Sequence, residues 1–195
     1  MLVERLNLEG VLLLTPQLFA DDRGHFFESF NRRRFAEAVG LAPSDLPDFV
    51  QDNHSLSHRG VLRGLHYQLP PEPQAKLVRC VVGEIYDVAV DLRRDSPSFG
   101  RWTGAILSAA NHRQLWVPVG FAHGFLTLSD TAEVLYKTVG YWSRDCERSL
   151  RWNDPALAIA WPDLQSEPLL APKDAAAPSL AEVVAAGDVF NPQGP

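Results

Sequence analysis

Gln51 to Lys76 reads QDNHSLSHRGVLRGLHYQLPPEPQAK. The segment holds His54, His58 and His66, three of the chain's six histidines, with Arg59, Arg63, Lys76 and the polar run Gln51-Asp52-Asn53. Buried polar groups need partners, so a stretch this polar beside strand-like hydrophobics is either a solvated loop or the lining of a pocket. Gly60 to Gln68, GVLRGLHYQ, favours the pocket. It reads as a strand with two glycines, and glycines inside strands mark bulges or close approach of another group. Side chains alternate along a strand, which puts Leu62, Gly64, His66 and Gln68 on one face. Arg63 joins His66 at a common site only if Gly64 bulges, and we expect that bulge. The plainer reading is an ordinary hairpin with surface histidines.

Outward from this segment the chain is made of short apolar runs cut by turns. It has 195 residues, enough for one domain with a sizeable core. Frequent glycine and proline, with 10% aromatic residues, suit an all-β sandwich or barrel with many turns. Strands are expected at 11–15, 102–108, 114–117, 121–128 and from Thr131 through Thr138. Residues 75–82 and 84–92 read as a hairpin about Gly83. In its second arm Tyr86, Val88, Val90 and Leu92 form an apolar face, and Asp87 falls on the other. Two short helices are expected. One spans 32–39, capped by Asn31 and stopped by Gly40; its Arg32-Arg33-Arg34 run reads as a solvated face. The other spans 179–186, with Ser179 and Glu182 as a capping box. No repeat or linker divides the chain, so residues 1–195 are expected to form one domain, with segment 163–195 packing on it.

A net charge of −6 argues against a general nucleic-acid or anionic-membrane surface. Two cysteines, Cys80 and Cys146, make no disulfide framework and favour a reducing compartment. The N-terminal residues contain neither a membrane-length apolar run nor a clear cleavage signal, so a cytoplasmic location is expected.

Two short patterns resemble the cupins, small double-sheet jelly rolls. Pro118-x-Gly120-x-x-His123 matches the second cupin motif. The first motif asks for His-x-His and a later Glu, whereas this chain has His66-Tyr67-Gln68 and only Glu72 beyond. Two imidazoles are a thin set for a transition metal, which normally has three protein ligands or more. The reading is therefore a jelly roll without metal or other cofactor. Such a pocket, with His, Lys, Tyr and Arg, suits proton transfer beside a carbonyl. A cation stabilises the enolate oxygen, a base removes the proton from one face, and an acid returns it on the other. His66, Lys76 and Tyr136 are candidates for these roles.

Longer signatures carry a more specific resemblance. DDRGHFFESF, QDNHSLSHRGVLRGLHYQ, QAKLVRCVVGEIYDVAVDLR, PVGFAHGF, VLYKTVGYW, RWNDPALAIAWP and LLAPKD, spread over about Asp21 to Asp174, are similar to the dTDP-4-dehydrorhamnose 3,5-epimerases. The resemblance implies a metal-free homodimer of cupin-like jelly-roll subunits. Its substrate would be dTDP-4-dehydro-6-deoxy-glucose, inverted at C3 and C5 in the third of four steps to dTDP-rhamnose, a cell-envelope sugar. Carried over, it makes His66 the base, Tyr136 the acid on the opposite face and Lys76 the enolate stabiliser. Asp174 would pair with His66, with Asp87 the second choice. Arg63 and His123 would contact sugar and phosphate. Gln51, Asn53, Glu147 and Lys173 would hold the nucleotide, with Arg23 and Glu28 reaching in from the other subunit. Trp142 stands where the family commonly has a tyrosine stacked on thymine, and the larger ring should still stack. Three alternatives stay open: an epimerase acting at C3 or C5 alone, a metal-dependent cupin, and a non-catalytic sugar-nucleotide binding module.

Overall fold

The structure is a computed structural model that describes residues 1–191. Its strands are β1 (Leu2–Arg5), β2 (Leu12–Thr15), β3 (Phe19–Asp21), β4 (Gly24–Phe26), β5 (Phe49–His58), β6 (Leu62–Gln68), β7 (Ala75–Val82), β8 (Glu84–Asp91), β9 (Trp102–Ser108), β10 (Gln114–Val117), β11 (Phe121–Thr127), β12 (Thr131–Val139) and β13 (Glu147–Ser149). Three short helices, α1 (Arg32–Val39), α2 (Pro172–Ala175) and α3 (Leu180–Ala186), complete it. Six strands form one sheet in the order β1-β2-β10-β7-β12-β5, and five form another in the order β13-β6-β11-β8-β9. A separate ribbon pairs β3 with β4. The result is the all-β, cupin-like jelly roll expected from the sequence.

The two sheets close over an apolar core to which both contribute. Leu13, Val78, Leu115 and Val134 come from the six-stranded sheet, and Ile85, Ala89, Leu107, Phe121 and Phe125 from the five-stranded one. The opposite face of β8 is buried as well. Val88, Val90 and Leu92 pack with Val183 and Val189, so part of the segment 163–191 covers the outside of the five-stranded sheet. Residues 192–195 of the segment expected to pack there lie outside the described residues. A strand buried on both faces loses the polar alternation by which sequence reveals its inner side.

The expected hairpin about Gly83 is corrected. β7 pairs with β10 and β12, whereas β8 pairs with β9 and β11. Gly83 carries the chain from one sheet to the other. One residue is too short for the two-residue loops that connect hairpins, and its φ of +73° is natural only to glycine. A Cβ there would come within 2.0 Å of the Thr131 carbonyl oxygen.

Both longer helices follow their end signals. The Asn31 side chain accepts from the backbone N–H groups of Arg33 and Arg34, and Gly40 closes α1 at φ +77°. Phe35 and Ala36 of α1 pack under the six-stranded sheet against Trp116 and Leu14. Ser179 and Glu182 make the reciprocal capping box of α3. The arginine run lies on a solvated face as expected, with Arg33 and Arg34 exposed, and two of its members make ion pairs there. Arg32 donates to the Pro43 carbonyl and pairs with Asp48 at 2.7 Å, while Arg34 pairs with Glu28 at 2.9 Å. β1, β3, β5, β13 and α2 are elements the sequence reading did not register.

Candidate active site

β6 and β11 lie side by side, with His66 opposite His123, and their register slips between His123 and Phe125. Two glycines allow this close crossing. Gly64 holds φ +122°, where a Cβ would sit 2.6 Å from the Gly124 Cα, and a Cβ on Gly124 would sit 2.6 Å from the Arg63 carbonyl oxygen. The bulge expected at Gly64 is present, and Arg63 and His66 line the same cleft. On the facing sheet β5 alternates cleanly. Gln51, Asn53, Ser55 and Ser57 turn inward, and Asp52, His54, Leu56 and His58 turn to solvent. Of the three histidines in Gln51–Lys76, only His66 therefore reaches the cleft; His54 is tied to Glu133 on the outer face at 2.8 Å.

The cleft between the sheets has a volume of about 520 Å³ and is lined by His66, Lys76, Tyr136, Asp174, Arg63 and His123, with Trp142, Glu147 and Lys173 among its other walls. Gln51 and Asn53 line an adjoining hollow of about 140 Å³ that shares His66, Lys76 and Tyr136. Eleven of the thirteen residues singled out from the sequence thus come together. Arg23 and Glu28 do not. The Arg23 side chain, 90% exposed, pairs with Asp21 on the β3–β4 ribbon, and Glu28 pairs with Arg34.

His66 Nε2–H donates to Asp174 Oδ1 at 2.5 Å, leaving Nδ1 as the ring's lone pair. Asp174 reaches this position because Pro172 opens the short turn α2, and its side chain is 3% exposed. Burial pulls the His66 pKa below its ordinary value; the Asp174 hydrogen bond and charge pull it partly back, and Lys173 and Lys76 push it down again. The outcome is an imidazole that is neutral at pH 7. Asp87, the other carboxylate weighed for this partnership, instead accepts from His123 Nε2–H at 2.7 Å.

Lys76 enters from β7 and donates from Nζ to the His66 carbonyl oxygen at 3.3 Å. Burial lowers its pKa to about 8, against the opposing pull of Asp87 and Glu147. Tyr136 enters from β12. Burial raises the pKa of its phenol, with Arg63 opposing, so it keeps its proton at neutral pH. Arg63 is braced by bonds from Nε to Ser57 Oγ at 2.9 Å and from Nη2 to the Leu56 carbonyl at 3.0 Å.

At the mouth, Glu147 accepts from Lys173 Nζ at 3.0 Å and from Trp142 Nε1–H at 3.3 Å. Burial pushes the Glu147 pKa up, but Lys173 and Trp142 outweigh it and hold the carboxylate below its usual range. Gln51 links this rim to β5 by accepting from the Trp142 backbone N–H at 3.1 Å. Trp142 stays 56% exposed, an open ring face at the entrance. Sequence reasoning missed Ser57 as the brace of Arg63 and the wall formed by Leu169, Leu170 and Ala171. A serine among ordinary strand residues carries no signal of its own. Among the described residues, no group of three or more His, Cys, Asp or Glu side chains is arranged to hold a metal ion.

A jelly roll whose cleft is lined by a carboxylate-backed imidazole, a half-buried phenol and a lysine defines a cupin-like enzyme suited to proton transfer at carbon. The family model for dTDP-4-dehydrorhamnose 3,5-epimerase matches residues 5–182. The chain is 57% identical to the dTDP-4-dehydrorhamnose 3,5-epimerase of Pseudomonas aeruginosa over 91% of its own length and 95% of that protein. It superposes on the epimerase of Legionella pneumophila, solved in complex with dTDP-4-keto-L-rhamnose, with TM-score 0.90 and 44% identity, covering 98% of each chain. A 3'-monoepimerase from Streptomyces bikiniensis, solved with dTDP-quinovose, is also similar, with TM-score 0.86 and 38% identity over 95% of this chain and 91% of that one. The chain belongs to the dTDP-4-dehydrorhamnose 3,5-epimerase family.

Proposed function

We propose that the chain is an isomerase that inverts C3 and C5 of dTDP-4-dehydro-6-deoxy-D-glucose, giving dTDP-4-dehydro-L-rhamnose for dTDP-rhamnose synthesis. The observation that carries this reading is that the base and the acid belong to different sheets. His66 stands on the five-stranded sheet and Tyr136 on the six-stranded sheet, and both line one cleft. A sugar ring lying between them meets a base on one face and a proton donor on the other, which is what inversion requires.

In this mechanism His66 Nδ1 takes the proton from a carbon beside the C4 ketone. The C–H electron pair moves into the ring and the carbonyl becomes an enolate. Lys76 meets the charge developing on that oxygen. Tyr136 gives its proton to the opposite face of the same carbon, and the ketone reforms. Asp174 stabilises the imidazolium while it exists. Arg63 and His123 take the sugar and phosphate side; Gln51, Asn53, Glu147 and Lys173 take the nucleotide, with Trp142 stacked on the base. No step needs a metal or cofactor, and activity should persist in chelator.

We also propose a homodimer in which Arg23 and Glu28 complete the neighbour's site. Both lie outside the cleft of their own chain, and the ribbon beside them exposes Phe19 at 50% and Phe26 at 67%. Light scattering at assay concentration tests this, and a fully active monomer would refute it. A cytoplasmic location belongs to the same proposal; among the described residues no helix is long and apolar enough to cross a membrane.

The test is turnover of the 4-keto substrate in deuterated water. His66→Ala should lose both deuterium uptake and inversion. Tyr136→Phe keeps the base and Lys76, so deuterium should still enter with configuration retained, while inversion falls by roughly 10²–10⁴. Loss of exchange and inversion together in Tyr136→Phe would show that the phenol is needed to form the enolate and would overturn the two-face assignment. The same experiment with unmodified enzyme shows whether C3, C5 or both invert, and so separates this reading from the single-carbon reaction suggested by the similar 3'-monoepimerase.

A further inference from the structure

Asp87 has no exposed surface, 0%, and only half of its carboxylate is used. Oδ1 accepts from His123 at 2.7 Å. Oδ2 is buried with no hydrogen-bond partner among the described residues. An unpaired buried carboxylate oxygen is costly, so its retention on an inner strand asks for a physical reason.

The register gives its position. On β8 and β11, Asp87 pairs with Phe125 and Ala89 with His123, while His123 in turn lies opposite His66 on β6. Asp87 therefore lies on the inner side of the five-stranded sheet, beneath the cleft, with Lys76 coming from the facing sheet. The other charged groups around Lys76 are already committed. Asp174 is bound to His66, and Glu147 is held by both Lys173 and Trp142. Lys173 is itself a cation, His66 offers Lys76 only its backbone carbonyl, and Arg63 and Tyr136 bring no negative charge at neutral pH. Of the carboxylates Asp87, Glu147 and Asp174, Asp87 alone keeps a buried oxygen without a partner among the described residues.

We propose that Asp87 is a positioning residue for the epimerase reaction: one carboxylate oxygen fixes His123 with Nε2–H donated, and the buried negative charge, acting across the space between the sheets without a direct contact, keeps Lys76 as the ammonium that meets the enolate. This rests on the reading of Lys76 as the enolate-stabilising cation. Burial alone drives Lys76 toward the neutral amine, and Asp87 is the largest opposing influence. Without Asp87 a larger fraction of Lys76 is uncharged at neutral pH and useless to an enolate.

The test reads Lys76 directly, in the free enzyme. Trace acetylation with acetic anhydride across pH, followed by mass spectrometry of the Lys76 peptide, yields the apparent pKa of that amine without any turnover. Asp87→Asn should lower it by about 1–3 units, and the alkaline limb of kcat/KM should move down with it, kcat falling more than KM changes. Asp87→Ser, which keeps a hydroxyl for His123 without the charge, carries the same expectation should the asparagine variant fold poorly. A merely structural role would change thermal stability and leave Lys76 labelling as in the unmodified enzyme; that result in either folded variant overturns the proposal. Failure of the epimerase reading would appear separately, as no solvent deuterium in the substrate with the unmodified enzyme, while the labelling still decides the role of Asp87.

Discussion

Asp174→Asn isolates the electrostatic half of the His66 dyad, because asparagine keeps the size and one acceptor oxygen of aspartate but not the charge. His66 sits in a balance. Burial lowers its pKa, Asp174 raises it by a hydrogen bond and by its charge, and Lys173 and Lys76 lower it. Removing the Asp174 charge leaves only a neutral, weaker hydrogen bond to oppose the lowering influences. An opposite charge at this range is worth about 1–3 pKa units, or roughly 1.4–4 kcal/mol. Two consequences follow with fixed signs. The acid limb of kcat/KM, expected at lower pH than for an ordinary histidine because burial depresses the His66 pKa, should move lower still in the variant, by about 1–3 units. The plateau rate should fall by at most the matching ~10–10³, since a weaker base abstracts a carbon-bound proton more slowly. The assay is solvent deuterium uptake and product formation across pH 4–9, with circular dichroism to confirm that each sample is folded. An acid limb that stays in place or moves upward, with the plateau intact, would show that Asp174 does not tune His66 and would refute the argument.

Lys76→Met should trade activity for stability. Lowering this amine from 10.5 to about 8 costs the folded protein roughly 1–3 kcal/mol at pH 7, discounted for water in the open cleft. The variant's gain in chemical denaturation should be complete below pH 8 and vanish as pH rises toward 10.5, where the lysine is neutral in both states, while kcat falls about 10²–10³. Gly64→Ala should destabilise by about 2–5 kcal/mol, combining the cost of a positive φ with a collision against β11, and calorimetry showing less than about 1 kcal/mol would contradict the close crossing. Trp142→Ala should raise KM roughly 5–150-fold with kcat nearly unchanged, the worth of about 1–3 kcal/mol of base stacking; steady-state kinetics showing a loss in kcat alone would remove Trp142 from nucleotide binding.

The sequence by itself determined much of this protein, and for identifiable reasons. Asn31 with Gly40, and Ser179 with Glu182, set the ends of α1 and α3 through bonds made within a few residues, so local reading suffices. Gly64 announced the bulge beside His66, because a Cβ there would sit 2.6 Å from the Gly124 Cα and only a backbone without one fits. Long motifs named the family and most of the cleft residues. What only the tertiary structure decided are relations between distant segments. Gly83 looks like a hairpin but crosses between sheets, since strand pairing is a contact among residues far apart in sequence and nothing local encodes the partner. Asp174 and Asp87 were both open as the partner of His66; the choice fell to Asp174 because α2 docks against β6 and β8 turns its Asp87 toward His123. The pKa of Lys76 belongs to the same class, because desolvation is a property of the assembled cleft and not of the lysine.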